Sequence, residues 1–314
     1  MKKNSIFFWV LLFSLIFSSH SNSARAQEKQ PGFLVSPYFQ EINIQKDQAS
    51  SPFSIDVKNN TGNPAVFRVS VLDFGALDES GGVAFLGSAD NLKYSLASWV
   101  SLPNDTLVLK PGETQTVKGA VENRESLSPG GHYGAIFFKI EDDGNGMSAN
   151  NDPVAFNPSF ASLLFARKVG GETYGLSLNN VDFAKGPFTL PSRIKLRFQN
   201  AGNVHVIPRG IVEIADPLGR QVAKSIINNE SSIILPETFR VFPGTFRQIA
   251  PGFIPGRYTL IVNYRYDGKD DFIAERINFF LIPPIFPLLA LILIAIASGY
   301  IFFRIKKKKE SKNK

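Results

Sequence analysis

Catalysis needs acid, base or nucleophilic side chains that converge, and histidine is the residue type that most often serves. The chain has 314 residues and three histidines. His20 belongs to an N-terminal apolar segment, whereas His132 and His205 each precede an apolar run in separate halves of the chain. That separation argues against a shared catalytic triad. We therefore predict structural histidines, no catalytic residues, no enzyme activity and no cofactor.

The absence of cysteine narrows the chemistry further. With no cysteine in the sequence, disulfides, thiolate metal sites and cysteine nucleophiles are all excluded. Exported domains without disulfides must be stabilised by their hydrophobic cores alone. Such domains are more typical of bacterial surfaces than of animal cell surfaces.

An acidic segment at residues 141–152, EDDGNGMSANND, is the one candidate for metal binding. Glu141, Asp143 and Asn145 occupy positions one, three and five of a calcium-loop pattern, and Asp152 occupies position twelve. Glu replaces the usual first Asp, Asp replaces the bidentate Glu, and strand patterns flank the segment instead of helices. We predict a solvated loop without a metal site, and calcium binding stays open.

The segment Leu235–Phe239, LPETF, is similar to a sortase signal because an apolar span and a basic tail follow it. Phe239 stands where glycine is required, and more than 40 residues separate it from the span. We predict a turn at a strand edge and a retained C-terminal anchor.

The chain between its two ends has the pattern of β-strands. In Arg193–Phe198 and Tyr258–Arg265 apolar and polar residues alternate, which places one set of side chains inside and the other in water. Clusters of Gly, Pro, Asn and Asp separate these runs at the spacing expected of sandwiches.

Two landmarks occur in the same order in both halves. The tetrapeptide Asn-x-Gly-Asn occurs at 60–63 and 200–203, each time between apolar runs, and we predict turns in which Asn and Gly adopt positive φ. A tyrosine then opens a late strand, Tyr133 in the first half and Tyr258 in the second. This placement is similar to the tyrosine corner of immunoglobulin-like domains.

The fold class predicted is all-β, with two tandem immunoglobulin-like β-sandwiches at 31–169 and 171–281, an N-terminal signal peptide and one C-terminal transmembrane helix. Gly170 and Gly171 mark the hinge between the sandwiches. Trp99 is interpreted as a core or crossover residue, because large aromatic side chains are usually buried.

The N-terminal segment 1–26 has the features of a secretory signal peptide. Two lysines precede an apolar run that begins at Ile6 and extends to Phe17, and Ala24-Arg25-Ala26 has the form of a cleavage site. The run is too short to span a bilayer.

At the other end, residues 285–303 contain no charge and twelve Leu, Ile or Phe residues, which favours membrane insertion. Arg304 and four consecutive lysines follow in the tail 304–314. Positive charge beside a span stays cytoplasmic. We predict a single-pass cell-membrane protein with an extracellular N-terminal ectodomain and a cytoplasmic lysine-rich tail.

The net charge of +7 belongs to these two ends. Without them, 24 Lys and Arg remain against 26 Asp and Glu, a charge of −2. No basic surface is left that would predict nucleic-acid binding.

The sequence combines the signal peptide with the segments VSPYFQEINIQKDQASSPFSIDVKNNTGNPAVFRVSVLDF and LVLKPGETQTVKGAV with LSPGGHYGAIFFKI, and with the C-terminal span and its lysine tail. In this combination it resembles the WxL-interacting proteins of Gram-positive bacterial surfaces. The resemblance implies a first, peptidoglycan-binding sandwich and a second, partner-binding one. The first half is also similar to pilus-type chaperones.

Our functional hypothesis is therefore a membrane-anchored, non-catalytic binding or scaffolding protein whose partners are peptidoglycan or other surface proteins. The alternative is a membrane-tethered, pilus-type assembly chaperone for exported subunits. The sequence does not identify the binding residues, since loops and strand edges carry no recognisable motif.

Overall fold

The strands form two groups, each with its own core. The computed structural model describes residues 32–87, 93–141, 159–184 and 186–312. Strands β1 to β10 pair among themselves, as do β11 to β18. We call the two groups the first and the second sandwich. The all-β class with one C-terminal apolar helix is confirmed, whereas the predicted signal peptide at 1–26 lies outside the described residues.

The first sandwich contains β1 Phe33–Ser36, β2 Phe39–Ile44, β3 Ser50–Asn59, β4 Ala65–Ala76, β5 Val83–Gly87, β6 Val100–Ser101, β7 Thr106–Leu109, β8 Thr114–Glu122, β9 Gly130–Ile140 and β10 Ser159–Lys168. A 3-10 turn, Ala97–Trp99, precedes β6. One sheet has the order β1-β3-β8-β6, and a six-stranded sheet has the order β2-β10-β9-β4-β5 with β7 also paired to β4.

The second sandwich contains β11 Leu176–Phe183, β12 Arg193–Asn200, β13 Arg209–Ala215, β14 Gln221–Ile227, β15 Phe239–Thr245, β16 Arg247–Gln248, β17 Gly256–Tyr266 and β18 Lys269–Leu281. Its sheets have the orders β11-β12-β15 and β16-β14-β13-β17-β18. The predicted limits 31–169 and 171–281 stay predictions, because strand pairing alone does not set where an independently folding unit ends.

Alternation in the sequence corresponds to burial in the structure. In β17 the side chains of Tyr258, Leu260, Val262 and Tyr264 are buried, while the residues between them are at least partly exposed. The second core is assembled from such inward positions of both sheets, and the first core is built in the same way.

The first two strands of the chain are divided between the two sheets. β1 pairs antiparallel with β3, and after two residues the chain crosses to the other sheet, where β2 pairs parallel with β10. The sequence pattern did not reveal this division, since each half is too short to show a period.

A buried asparagine holds the corresponding turn in each sandwich. Asn59 donates to the carbonyls of Asn63 and Leu109 and accepts from the amide of Thr61. Asn200 donates to the carbonyls of Val204 and Ile234. The equivalent positions are therefore 59 and 200, one residue away from the Asn-x-Gly-Asn alignment in the first half.

The predicted positive φ values at these turns were wrong. Among the described residues with positive φ, neither 60–63 nor 200–203 occurs. The asparagine side chains close the turns instead. Gly202 is required for space, because a Cβ there would lie 2.3 Å from the carbonyl oxygen of Thr173.

The two tyrosines at the starts of late strands differ in role. The Tyr258 hydroxyl donates to the carbonyl of Ile254 at 2.8 Å, which is the predicted tyrosine corner. Tyr133 was predicted to do the same in the first sandwich, but its hydroxyl points to His205 of the second sandwich. The cause is the direction of its side chain, which leaves the first core and enters the junction between the sandwiches.

Trp99 is half-buried and packs on the first core, as predicted. The adjacent turn is held by Asp73, whose carboxylate accepts from the amides of Leu96 and Ala97 at 2.7 Å each. The guanidinium of Arg124 lies 5.7 Å from the Trp99 ring centroid.

The C-terminal helix, α1 Ile285–Lys312, begins four residues after β18 ends. Its segment Ile285–Ile305 has a mean hydropathy of 2.5 and is long and apolar enough to cross a membrane. None of that segment is buried against the rest of the protein.

Candidate functional site

The outer face of the six-stranded sheet meets the second sandwich along one row of aromatic residues. Side chains on this face point away from the first core, and the strand registers arrange them in rows. Phe74, Tyr133 and Phe165 have ring centroids 5.3 to 5.9 Å apart. Ile233 and Leu235 of the second sandwich pack on them. This row is the apolar part of the junction.

The neighbouring rows on the same face are also apolar. We use the name outer strip for Phe85, Leu72, Phe137, Leu163 and Phe39, which follow one another across strands β5, β4, β9, β10 and β2. Phe39 and Phe85 are 38% and 43% exposed, and the other three are half-buried. The Phe85 and Phe137 ring centroids are 5.6 Å apart. The outer strip is an apolar surface that remains accessible to solvent.

Sequence reasoning missed this surface, although a signal for it exists. In β10 the run FASLLFA lacks the polar residues that would occupy a solvated face. Continuous apolar runs are typical of strands covered on both faces. Here the inner face contacts the first core, while only part of the outer face is covered by the second sandwich.

The outer strip ends at two strand edges. Within the described residues, β5 pairs only with β4, and β2 pairs only with β10. Leu86 of β5 is 52% exposed, and Tyr38 beside β2 is 69% exposed. The Tyr38 ring centroid lies 4.9 Å from that of Phe39. Edge strands expose backbone N–H and C=O groups that can pair with another chain.

A small polar cluster lies beside the aromatic row. The Tyr133 hydroxyl is 3.3 Å from Nδ1 of His205, and Nε2 of His205 is 3.7 Å from a carboxylate oxygen of Glu41. The contact with the His205 imidazole lowers the pKa of Glu41; burial opposes this, and the charges of His205, Arg167 and Arg209 add to it. Burial raises the pKa of Tyr133, so its hydroxyl stays protonated.

Arg167 extends this cluster toward the link between the sandwiches. Its Nε and Nη2 donate to the side-chain oxygen of Asn43 at 3.1 and 2.7 Å. Its Nη1 donates to the hydroxyl of Tyr174 at 3.0 Å. The guanidinium thus joins β2, β10 and the segment that precedes β11.

Opposite charges join the sandwiches at the other side of the aromatic row. Arg197 donates from Nε and Nη2 to the two carboxylate oxygens of Glu79 at 2.7 and 2.6 Å. The amide of Val241 donates to the Glu79 carbonyl at 2.8 Å. Lys93 forms an ion pair with Glu237. Both sandwiches are therefore fixed to each other by polar contacts as well as by the aromatic row.

A narrow crevice beside these contacts contains Arg240. Its Nη1 donates to the Ile233 carbonyl at 2.6 Å. Burial lowers its pKa, and the charge of Glu230 opposes that effect. Gly81 leaves the room for this side chain, since a Cβ there would lie 2.1 Å from Nη2.

His132 has the surroundings predicted for a structural histidine. It is 3% exposed, with Nδ1 3.0 Å from the Ser95 carbonyl and Nε2 2.8 Å from the Ser128 carbonyl. Burial lowers its pKa, and both backbone contacts oppose that shift. His205, predicted to be structural as well, packs against Tyr133 and Phe165 in the junction.

Only the first residue of the calcium-loop pattern can be placed. Glu141 pairs with Arg68 at 2.8 Å, and positions 142–152 lie outside the described residues. In the described part of the chain, no group of three or more His, Cys, Asp or Glu side chains is arranged to hold a metal ion.

The segment LPETF forms the predicted turn. The Thr238 hydroxyl donates to the Leu235 carbonyl at 2.8 Å, and Glu237 has a φ of 57°. Strand β15 begins at Phe239, the last residue of this segment.

No protein-family model and no curated protein matches the sequence. Solved structures with a similar arrangement include the class 5 fimbriae chaperone CfaA, with 10% identity, a TM-score of 0.41, and coverage of 80% of this chain and 99% of that one. The E. coli chaperone DraB aligns with 16% identity and a TM-score of 0.36, covering 77% of this chain and 97% of that one. A Porphyromonas gingivalis protein of unknown function aligns with 10% identity and a TM-score of 0.31, over 80% and 99% of the two chains. These values are too low to assign a function to this chain.

Proposed function

We propose that this protein is a membrane-anchored, non-enzymatic module that binds an apolar segment of another exported or surface protein on the outer strip. The observation that carries the proposal is the accessible apolar surface that runs across the sheet from β5 to β2. Apolar surface that stays in contact with water is often an interaction site.

Strand addition is the binding mode that suits this surface. An extended segment paired to the edge of β5 or β2 gains backbone hydrogen bonds, and its alternate side chains contact the outer strip. Phe85 lies on one edge strand and Phe39 on the other. Each edge thus has an aromatic side chain at the point where a new strand would be added.

The same proposal covers both roles considered from the sequence. A partner that stays bound makes the protein a surface scaffold, and a partner that is released makes it a tethered assembly chaperone. The outer strip consists of hydrocarbon side chains, which do not form hydrogen bonds. This composition favours a protein segment over a polysaccharide as the ligand. Peptidoglycan binding, which the resemblance to WxL-interacting proteins implies, stays a prediction, as does membership of that family.

We propose the following placement at the membrane. Helix α1 crosses the bilayer, the basic residues after it stay in the cytoplasm, and both sandwiches lie outside. The outer strip is then available to proteins that have already been exported.

Site-specific photo-crosslinking in membranes of the native host tests the function. A benzophenone amino acid replaces Phe85 in the full chain, and Phe272 is the matched control because it is 58% exposed on the second sandwich. We expect protein adducts at position 85 that are absent at 272 and that decrease when Phe39→Asp is added. Equal adducts at both positions would contradict the proposal. Adducts removed by wall hydrolases would favour the wall polymer instead.

A further inference from the structure

One end of the second sandwich carries exposed apolar side chains and lies next to helix α1. It is formed by three loops, at 186–192, 216–220 and 249–255, together with the last residues of β18. We call it the membrane-facing end. The opposite end of this sandwich meets the first sandwich, so the two ends have different surroundings.

The three most exposed large apolar residues of the described second sandwich lie at this end. Leu218, Phe253 and Phe280 are 69%, 66% and 62% exposed, and Phe188 at the same end is 47% exposed. Each of the three loops contributes one of these side chains, and β18 contributes the fourth. Together these four side chains make this end apolar and exposed to solvent.

The loops that present these residues are fixed in place. The carboxylate of Asp216 accepts from the amides of Leu218 and Arg220 at 2.9 Å each. The Tyr258 hydroxyl holds Ile254, next to Phe253, through a 2.8 Å hydrogen bond. The surface is therefore already formed before it meets a ligand.

The short connection between this end and helix α1 indicates that the apolar surface meets the membrane. The amide of Ile282 donates to the carbonyl of Pro187 at 2.7 Å, which ties the 186–192 loop to the residue three positions before helix α1. Three residues span at most about 10 Å. If α1 crosses the bilayer, Phe188 is held at the level where lipid headgroups begin.

The charges at this end suit acidic headgroups. Arg193, Arg220 and Arg257 are exposed around the apolar surface. Asp216 is the only carboxylate in the three loops; it is buried and paired to Arg220 at 2.7 Å. Basic residues around an apolar surface are typical of segments that lie in the membrane interface.

We propose that the membrane-facing end is a lipid-binding surface that inserts Phe188, Leu218, Phe253 and Phe280 into the headgroup region of the outer leaflet. This inference rests on the membrane anchoring in the proposed function. Contact at several points holds the second sandwich upright, and the junction then sets the height of the outer strip above the membrane.

Spin-label depth measurements on the full chain in vesicles of phosphatidylcholine and phosphatidylglycerol test this. Because the chain contains no cysteine, each single variant carries one label. Phe253→Cys and Phe188→Cys are the test positions, and Phe272→Cys, an exposed phenylalanine far along β18, is the matched control. We expect the ratio of oxygen to nickel-chelate accessibility to be several-fold higher at 253 and 188 than at 272.

Two results overturn the proposal. A ratio at 253 and 188 equal to that at 272 means that this end lies in water. Low accessibility to both reagents means that protein, such as a second copy of the chain, covers it. A label at Ile292→Cys in α1 separates the two proposals, because failure to reach the hydrocarbon there would contradict the anchoring itself. With anionic lipid removed, we expect the labels at 253 and 188 to become shallower while Ile292→Cys does not change.

Discussion

Buried asparagines at equivalent positions show how single side chains define the turns of this protein. Asn59 and Asn200 are fully buried, and each satisfies backbone groups from two segments distant in sequence. The sequence predicted the turns but not which asparagine was responsible. Aligning the two Asn-x-Gly-Asn motifs pairs Asn60 with Asn200, whereas the hydrogen-bond partners pair Asn59 with Asn200. The two alignments therefore differ by one residue in the first half.

We predict that Asn200→Ala lowers the free energy of unfolding by about 2 to 3 kcal/mol, because it leaves buried backbone groups without partners. Denaturant unfolding of the full chain in detergent measures the loss. Asn179→Ala is the control, since Asn179 is exposed and bonds only to exposed side chains. Equal losses in both variants would contradict the role given to Asn200.

The lowered pKa of Glu41 predicts that the stability of the folded protein depends on pH through the junction. Its pKa is lowered in the folded protein, so the stability it contributes is present above its unfolded pKa of about 4.3 and is lost as pH falls below that value. The effect stays below about 1 kcal/mol because half of the side chain is exposed and water screens the charge. We expect Glu41→Gln to lose less stability than the parent protein as the pH falls from about 5 to about 3. A steeper loss in the variant would contradict this sign.

At the scale of elements, alternation identified the strands with one solvated face. Strands β12 and β17 follow the period of two over their whole length, and both were predicted. The outer face of β10 was not recognised as a surface, because a continuous apolar sequence does not tell which side remains in water. The crossing from β1 to β2 was missed because four and six residues are too few to show a change of partner sheet.

A tyrosine corner fixes the segment before a strand in the second sandwich only. We expect Tyr258→Phe to lower the free energy of unfolding by about 1 kcal/mol through loss of one hydrogen bond. Tyr133→Phe is the matched control, since the hydroxyl of Tyr133 bonds across the junction and not within its own crossover. Thermal unfolding followed at the second sandwich should therefore respond to the change at 258 but not to that at 133.

At the scale of the whole molecule, the junction turns two sandwiches and a helix into one oriented structure. The sequence could not predict it, since Tyr133 and His205 are 72 positions apart and carry no motif that pairs them. Glu79 and Arg197 are 118 positions apart and form a bidentate ion pair. In the sequence, nothing distinguishes either residue from an ordinary surface charge. The relative placement of the outer strip and the membrane-facing end depends on these contacts.

We predict that Glu79→Ala loosens the junction without unfolding either sandwich. The substitution removes both hydrogen bonds to Arg197, while the backbone contact from Val241 remains. Spin labels at Thr116→Cys and Ile226→Cys, one in each sandwich, report the distance distribution between them, which should broaden.

Asp105→Ala is the control for this measurement. Asp105 pairs with Arg68 at 3.3 Å within the first sandwich, so its removal deletes an ion pair of similar chemistry and should leave the distribution unchanged. A narrow distribution in Glu79→Ala would show that the aromatic row and the remaining polar contacts set the angle between the sandwiches without the Arg197 pair. In that case Phe165→Ala, which opens a cavity in that row, is the substitution that should broaden it.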